Sequence, residues 1–494
     1  MHDVKRQMAR GAMWMILVKL GERGLGLLST LILVRVLLPT DFGIVAMATS
    51  FTFLLELLTA FGFDVALIKH QQPTKALFDT AWTFNVIFYV LVAAAMLVGS
   101  GPLAHFYGEP RLTAVICALA CGSVVQGLEN IGVVHFRRDL QFDREFRFQL
   151  IKKLAMFCTT VPLALLWRNY WALVAGMVCG RVIGVVTSYA MQSYRPRFSL
   201  EAAAELVHFS KWLAINNVLG YAKERCCDFV IGRLLGPSSL GLFNVSNEIA
   251  TLPSNEMVAP INRAVLPGYA KMSADPLVLQ RGYLDVTALI ALVSVAAGVG
   301  VAAIAPILVP AVLGKNWLAA APLIEILALY GVVYSMQSEV YSVFLVLGRP
   351  DIQVKTNVAY AAVLVGAMVT LVHLLGLQGA AWAFLGTAVL MMPVNIGLAL
   401  RLLRLPGSSY LALLWRPTFA SAAMYVTVRM LVAPVTGAES SGMLVLSLLG
   451  AILLGIVSYA VALWILWMLA RCPEGAERIL LTTMRRWLRP RAAS

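Results

Sequence analysis

Residues 212–241 read WLAINNVLGYAKERCCDFVIGRLLGPSSLG, an apolar run that carries four charges near its middle: Lys223, Glu224, Arg225 and Asp228. The run exceeds the roughly 20 residues that an α-helix needs to cross a bilayer. A charge at the centre of such a helix costs roughly 2.5–3.5 kcal/mol, so charged residues there normally face a helix bundle or a water-filled cavity. The stretch therefore predicts a transmembrane helix beside a polar, functional cavity.

A related pattern occurs earlier in the chain, at residues 14–43. A gapless shift of 198 residues (212 minus 14) aligns five identical pairs: Trp14 with Trp212, Arg35 with Arg233, Leu37 with Leu235, Pro39 with Pro237 and Gly43 with Gly241. The earlier run also carries charges inside its span: Lys19, Glu22 and Arg23. Two related halves around a polar centre are typical of secondary transporters.

The composition places the chain in a membrane. Of its 494 residues, 60% are hydrophobic and only 13% are charged, whereas soluble domains have about 25% charged residues. The runs 82–104, 286–313 and 443–470 contain no charged residue. The net charge of +14 lies in short loops between spans rather than on a soluble basic domain, so we expect no nucleic-acid partner.

Hydropathy predicts an all-α integral membrane protein with about 14 transmembrane helices. Spans one, two, seven and eight are expected near 13–37, 42–66, 211–234 and 240–265. The predicted organisation is two pseudo-symmetric six-helix lobes, an extra helix pair and a cytoplasmic basic amphipathic tail: 1–195, 196–405, 406–470 and 471–494. Because each lobe has an even number of spans, the two lobes should be related by an axis along the membrane normal.

The distribution of Lys and Arg predicts the orientation. These residues concentrate in the alternate loops that include the N-terminal segment, so the positive-inside rule places both termini in the cytoplasm. The segment 135–153, HFRRDLQFDREFRFQLIKK, interleaves phenylalanines with bases. Such a segment is expected to lie on the anionic lipids of the inner leaflet.

Charges within the predicted spans concentrate in spans one, two, seven and eight. Lys19 and Arg23 are one helical turn apart, and so are Glu224 and Asp228. Two interpretations remain open, because the charges either pair with one another between helices or line a hydrated pathway. The carboxylates that could carry ion or proton coupling are Glu22, Glu56, Glu224, Asp228 and Glu248.

Two polar stripes are candidates for contact with a sugar. Asn244, Glu248, Thr251 and Asn255 fall within about 60° of one another on span eight. Pro253 is expected to interrupt that helix and permit bending. Tyr334 and Gln337 lie in predicted span ten, near 321–346. Amide and aromatic groups suit hydroxyl-rich sugar rings, although the same groups also join helices.

Signals of enzymatic chemistry are missing from the sequence. It contains no HExxH, GxSxG or P-loop motif and no paired metal-ligand spacing. We therefore expect no catalytic residue, no metal site and no cofactor. A membrane-bound glycosyltransferase or polymerase is disfavoured because the outer loops are short.

The segments RVLLPTDFG, residues 35–43, and RLLGPSSLG, residues 233–241, give the chain a family resemblance. It resembles the Wzx-type flippases among the polysaccharide exporters of the multidrug/oligosaccharidyl-lipid/polysaccharide superfamily. The resemblance implies two six-helix lobes in a V, a cavity lined by spans one, two, seven and eight, and alternating access across the bacterial inner membrane. It implies further that the two extra spans form a groove for a lipid tail.

The same resemblance implies a substrate and partners. The substrate would be an undecaprenyl-pyrophosphate oligosaccharide, and polysaccharide polymerase machinery would act with the protein. An anionic head group would meet the bases Lys19, Arg23, Lys223, Arg225 and Arg263. The glycan would meet Asn244, Asn255, Tyr334 and Gln337.

A cation-coupled drug antiporter of the same superfamily is the alternative. Carboxylates within the spans favour it, because they bind cations. The bases within the spans discriminate between the two functions, since they repel a cationic drug and hold a pyrophosphate.

Overall fold

The protein is described by a computed structural model that covers residues 21, 23–57, 67, 74–432 and 441–470, without the side chains of residues 204–224, 226 and 441. Helices joined by short turns make up these residues, and none of them forms a β-strand. Their order begins with α1 (23–36), α2 (Pro39–Glu56), α3 (Lys75–Tyr107), α4 (Arg111–Gly127), α5 (Val134–Arg138), α6 (Phe142–Trp167), α7 (Trp171–Met191) and α8 (Ala203–Met272).

The described part of the second half of the chain is also built of helices. It contains α9 (Pro276–Leu308), α10 (Ala320–Ser335), α11 (Val340–Val346), α12 (Pro350–Leu375), α13 (Leu377–Leu402), α14 (Gly407–Val432) and α15 (Ser441–Leu469). Among the described helices, eight are long and apolar enough to cross a membrane. The count rises to nine if α4 and the residues 131–138, which include α5 and are bent from α4 by 64°, form one broken span rather than a re-entrant loop. The all-α membrane fold is thus confirmed, whereas the count of about 14 spans stays a prediction.

Helix α8 covers the predicted spans seven and eight in one 70-residue element with a break at Gly236. The φ of 80° at this residue is a conformation that glycine adopts without a steric penalty. The predicted boundary between the two spans, residues 234–240, therefore falls on the break. The expected interruption at Pro253 is wrong, because Gly236 alone has non-helical backbone angles within α8.

Contacts within the chain divide it into two compact units, unit 1 (Met1–Gly241) and unit 2 (Leu242–Ser494). The predicted lobes 1–195 and 196–405, the helix pair 406–470 and the tail 471–494 remain predictions.

Unit 1 is organised around the two copies of the repeated motif. A Cβ added to Gly43 would collide with the carbonyl oxygen of Pro237, and a Cβ added to Gly241 would collide with that of Pro39. The two helix starts therefore approach each other backbone to backbone, and each glycine leaves room for the proline of the other copy. Lipid supplies no hydrophobic driving force between helices, so close backbone packing of this kind is what holds membrane helices together.

Asp41 stabilises the first of these helix starts. Its carboxylate accepts a hydrogen bond from the Leu38 backbone N–H at 2.9 Å and another from the Tyr170 N–H at 3.1 Å. Arg233 of the second copy places its guanidinium 5.4 Å from the ring centroid of Phe106. The repeated residues therefore have structural roles within unit 1.

The two larger apolar cores of unit 2 hold its helices together. One is built by α8 to α14 and includes Tyr269, Tyr283 and Tyr410, all buried. The other joins α9 to α14 and α15, where the hydroxyl of Tyr459 donates to the Leu292 carbonyl at 2.7 Å. Small residues again allow close approach, since a Cβ on Gly298 would collide with Val332.

The segment 135–153 is divided between two helices. Residues up to Arg138 complete α5, and those from Phe142 begin α6. Phe136 and Phe148 are each only 1% exposed. Two of the phenylalanines expected on the lipid surface therefore belong to the core of unit 1, while contact of the bases with anionic lipids stays a prediction.

The reciprocal glycine packing predicts that Gly43→Ala and Gly241→Ala destabilise the protein. Overpacking typically costs about 1–3 kcal/mol, and a collision with a backbone carbonyl cannot be relieved by rotating a side chain. The midpoint of thermal unfolding, measured on detergent-solubilised protein by size-exclusion chromatography after heating, should fall for both variants.

Gly450→Ala is the matched control, because a Cβ there meets no atom within 4 Å. Alanine favours a helix over glycine by about 1 kcal/mol, so this variant should melt at or above the wild-type temperature. Unchanged melting of Gly43→Ala and Gly241→Ala would contradict the packing described here.

Candidate functional site

Among the described side chains of unit 1, Asp228, on α8 before the break, is the most deeply buried charged group. Its side chain is 1% exposed and accepts a hydrogen bond from the Ser50 hydroxyl on α2. Nη1 of Arg225, one turn earlier, lies 3.2 Å from the same carboxylate oxygen, Oδ2. A carboxylate buried this far requires such partners, since breaking a buried ion pair costs roughly 3–5 kcal/mol.

Arg225 differs from its partner because its side chain is 41% exposed. The guanidinium carbon lies 6.0 Å from the ring centroid of Phe53 on α2. Asp228 therefore orients the Nη1 edge of the guanidinium, while the Arg225 side chain keeps a large exposed fraction. An oriented, partly exposed guanidinium can bind an anion through charge-assisted hydrogen bonds.

A second charged pair lies further along α2. Oε1 of Glu56 lies 2.7 Å from Nη2 of Arg181 on α7 and accepts a hydrogen bond from Ser123 on α4 at 3.1 Å. Ser123 also accepts a bond from Nη1 of Arg181 at 2.7 Å. The predicted coupling residue Glu56 is thus part of a network that joins three helices.

A third pair lies where α4 bends towards α5. Glu129 accepts from the Lys152 ammonium at 2.8 Å and from the Gln126 amide at 2.9 Å. The sequence analysis did not predict the roles of Arg181 and Lys152. A lone arginine within an apolar span was a usable signal for Arg181, whereas Lys152 lay at a predicted span boundary and carried none.

The polar stripe of unit 2 lies on α8 after the break. Asn244, Thr251 and Asn255 are half-buried, and Glu248 is exposed. The part proposed for Glu248 in ion or proton coupling stays a prediction. Thr251 packs against α10, because its side chain would touch a Cβ placed on Gly331 at 3.4 Å.

Tyr334 lies in the last turn of α10, and Gln337 lies just after the end of that helix. The amide oxygen of Gln337 accepts from Asn395 on α13 at 2.8 Å, and its nitrogen donates to the Val333 carbonyl at 3.1 Å. Gln337 thus joins helices. Tyr334 is 39% exposed and its ring centroid lies 5.7 Å from that of Tyr330.

Among the remaining predicted residues, Arg23 and Arg263 are exposed. Lys19 and Glu22 lie outside the described residues, as do the side chains of Lys223 and Glu224. Within the described part of the chain, no group of three His, Cys, Asp or Glu residues could hold a metal ion.

Comparison with known proteins identifies the family. A family model described as "Polysaccharide biosynthesis protein" matches residues 32–322, more than half of the chain. The chain belongs to this family. It is 23% identical over 428 residues to the lipopolysaccharide biosynthesis protein WzxC of Escherichia coli (strain K12), covering 85% of this chain and 86% of that protein.

Two solved structures share the fold. Lipid II flippase MurJ in an inward closed conformation aligns with a TM-score of 0.71 at 13% identity, covering 92% of this chain and 99% of MurJ. An inward-facing multidrug resistance transporter of the MATE family aligns with a TM-score of 0.56 at 14% identity, covering 77% and 95% of the two chains. Both similarities concern the fold alone.

The Glu56–Arg181 pair predicts a specific pattern of stability. Both side chains are less than one fifth exposed, so Arg181→Gln should leave an uncompensated carboxylate and lower stability by about 3 kcal/mol. The double variant Glu56→Gln, Arg181→Gln should regain most of that loss, because no unpaired charge remains. Thermal melting of the two single variants, the double variant and the wild type measures the coupling energy. Additive effects would show that the two groups do not interact.

Proposed function

We propose that this protein is a bacterial inner-membrane flippase. It translocates lipid-linked oligosaccharide repeat units of the undecaprenyl-pyrophosphate type, for lipopolysaccharide or exopolysaccharide synthesis, by alternating access. The observation that carries this proposal is the family match over residues 32–322, which includes α2, α7 and the Arg225–Asp228 pair. The fold shared with MurJ, a lipid II flippase by name, is consistent with it.

The chemistry of the bases supports an anionic head group. Arg225 offers N–H groups that its buried partner does not occupy, and a pyrophosphate accepts such groups in a bidentate manner. Within this proposal Lys19, Arg23, Lys223 and Arg263 contribute further positive charge. Asn244, Asn255, Tyr334 and Gln337 are proposed to contact the glycan.

Coupling to an ion or proton gradient is proposed for carboxylates of the same helices: Glu22, Glu56, Glu224, Asp228 and Glu248. Asp228 is the strongest of these, because it is buried and hydrogen-bonded between two helices. Protonation of Asp228 would release Arg225 from its ion pair and change what the guanidinium binds.

The proposed organisation includes 14 spans, two six-helix lobes, a helix pair for the lipid tail and cytoplasmic termini. Anionic lipids and the polysaccharide polymerase machinery are the proposed partners. The alternative is a cation-coupled drug antiporter, and the buried carboxylate of Asp228 is the observation that favours it. No enzymatic activity is proposed.

A deletion strain tests the function. Loss of the protein should cause lipid-linked oligosaccharides to accumulate on the inner leaflet, and mass spectrometry of the lipid extract measures them. The purified protein in liposomes should move the same lipid between leaflets. Unchanged lipid intermediates together with new sensitivity to cationic dyes would instead favour the antiporter.

Arginine identity at position 225 should affect transport. We expect Arg225→Lys to lower complementation of the deletion strain about tenfold and Arg225→Ala to abolish it, because an ammonium cannot reproduce the bidentate geometry of a guanidinium. Arg144→Lys is the control, since Arg144 lies on an exposed surface of α6. Equal membrane levels are verified by immunoblot. Wild-type activity of Arg225→Lys would contradict a bidentate contact.

Orientation is tested with single-cysteine variants. Lys315→Cys, in the exposed turn between α9 and α10, should react with a membrane-impermeant thiol reagent in intact spheroplasts. Ser273→Cys, in the exposed turn between α8 and α9, should react only after permeabilisation. The reverse pattern would place the termini outside the cytoplasm.

A further inference from the structure

An extended strap, residues 192–202, follows α7 and is fixed to the rest of unit 1 by hydrogen bonds. The Ser199 N–H donates to Thr83 at 3.0 Å and the Ala202 N–H to Thr80 at 3.2 Å, both on α3. Near its start, the Tyr194 carbonyl accepts from the Asn130 amide at 2.7 Å. A segment without helical structure is therefore held rigidly across the ends of several spans.

Asp79 is the centre of this attachment. It is 6% exposed and accepts the Tyr194 hydroxyl and the Arg197 backbone N–H, the latter at 2.9 Å. Burial raises the pKa of Tyr194, and the hydrogen bond to Asp79 acts in the same direction. The hydroxyl thus stays protonated and keeps its donor role, and the carboxylate is used to hold the strap.

The strap closes one side of a cavity of about 560 Å³. This volume lies within the range of small-ligand sites, roughly 300–1,000 Å³. Three cationic side chains line the cavity, Lys75, Arg195 and Arg197, and none of its described lining residues is acidic. The charge of Asp79 offsets one of the three and that of Asp139, 3.8 Å from Nδ1 of the lining residue His135, offsets another, which leaves a net positive charge around the cavity.

The three bases of the cavity differ in their hydrogen bonds and exposure. Nη1 of Arg195 donates to the carbonyls of Gln192 at 2.6 Å and Tyr194 at 2.9 Å, so its guanidinium is fixed. Lys75 and Arg197 are exposed, and no ion pair with either is found among the described residues. Lys75 is also the first residue of α3, where the helix dipole adds positive potential.

Aromatic rings also line the cavity. Phe78 and His135 stack with centroids 4.6 Å apart and an interplanar angle of 18°. Both rings belong to the cavity lining, beside Tyr194. Bases and aromatic rings in one cavity match a group that carries both phosphate and a sugar ring.

We propose that this cavity binds the diphosphate and first sugar of a polyprenyl-anchored glycosyl diphosphate before that lipid enters the transport pathway. The proposal rests on the proposed function. The cavity lies at the start of α3 and the ends of α5 and α7, where three predicted spans reach the cytoplasmic membrane surface. A diphosphate attached to a lipid resides at that depth.

Binding to purified full-length protein in phosphatidylcholine nanodiscs tests the proposal. The probes are a polyprenyl diphosphate, phosphatidylglycerol at the same mole fraction and inorganic pyrophosphate, each quantified by native mass spectrometry. The Lys75→Gln, Arg197→Gln variant should bind the polyprenyl diphosphate about tenfold more weakly, since two charge-assisted contacts are lost. The backbone bond from residue 197 to Asp79 is kept, and the melting temperature verifies folding.

Lys271→Gln, Arg281→Gln is the matched control, because it removes the same charge from exposed positions on α8 and α9, outside both the cavity and the basic segment 135–153. It should bind within twofold of the wild type. An equal loss of binding in the control, no loss in the cavity variant, or equally tight binding of phosphatidylglycerol or inorganic pyrophosphate would overturn the proposal.

The outcomes separate this inference from the proposed function. If the wild-type protein translocates lipid-linked oligosaccharide in liposomes but the cavity substitutions leave binding unchanged, only the cavity proposal is contradicted. A wild-type protein that binds but does not translocate contradicts the flippase function itself.

Discussion

The reciprocal approach of two glycines and two proline carbonyls is the contact on which unit 1 depends. Gly43 and Gly241 each give space to the backbone of the other motif copy, and any side chain there would force the helix starts apart. Gly43 lies two turns before Ser50 on α2. The close packing at Gly43 therefore fixes the position of α2 along its axis, and with it the hydrogen bond from Ser50 to Asp228. A steric requirement of the backbone thus determines the geometry of the polar site.

Charge pairing is the second constraint on unit 1. Asp228, Glu56 and Glu129 each have a basic partner within 3.2 Å. These pairs offset the cost of burying charge in a membrane, and they differ in how far each partner is exposed. Glu56 and Arg181 are both largely enclosed, whereas Arg225 keeps a large exposed fraction beside an enclosed carboxylate. This asymmetry separates a pair that joins helices from a pair that can also bind an anion.

Much of the fold followed from composition and periodicity. The lack of charges over long runs requires a bilayer. The repeated prolines fall between predicted spans, and the structure begins α2 at Pro39 and breaks α8 at Gly236, just before Pro237. The predicted boundary near residue 236 was also correct, because only glycine adopts that backbone conformation freely. The predicted interruption at Pro253 was wrong, because a helix can continue through a proline when the carbonyl that loses its N–H donor finds another partner.

The chain alone established the membrane class, the duplicated motif, the family and the helices that carry charge. It could not establish which charges pair. Arg225 and Asp228 are one turn apart and so were readable, but Glu56 and Arg181 are separated by 125 positions and meet only because α2 and α7 pack together. The strap that crosses α3 is likewise invisible in sequence, because its hydrogen bonds use backbone groups that every residue possesses. The spacing of residues within one helix shows which side chains share a face. Packing between helices that are distant in sequence determines which charges pair.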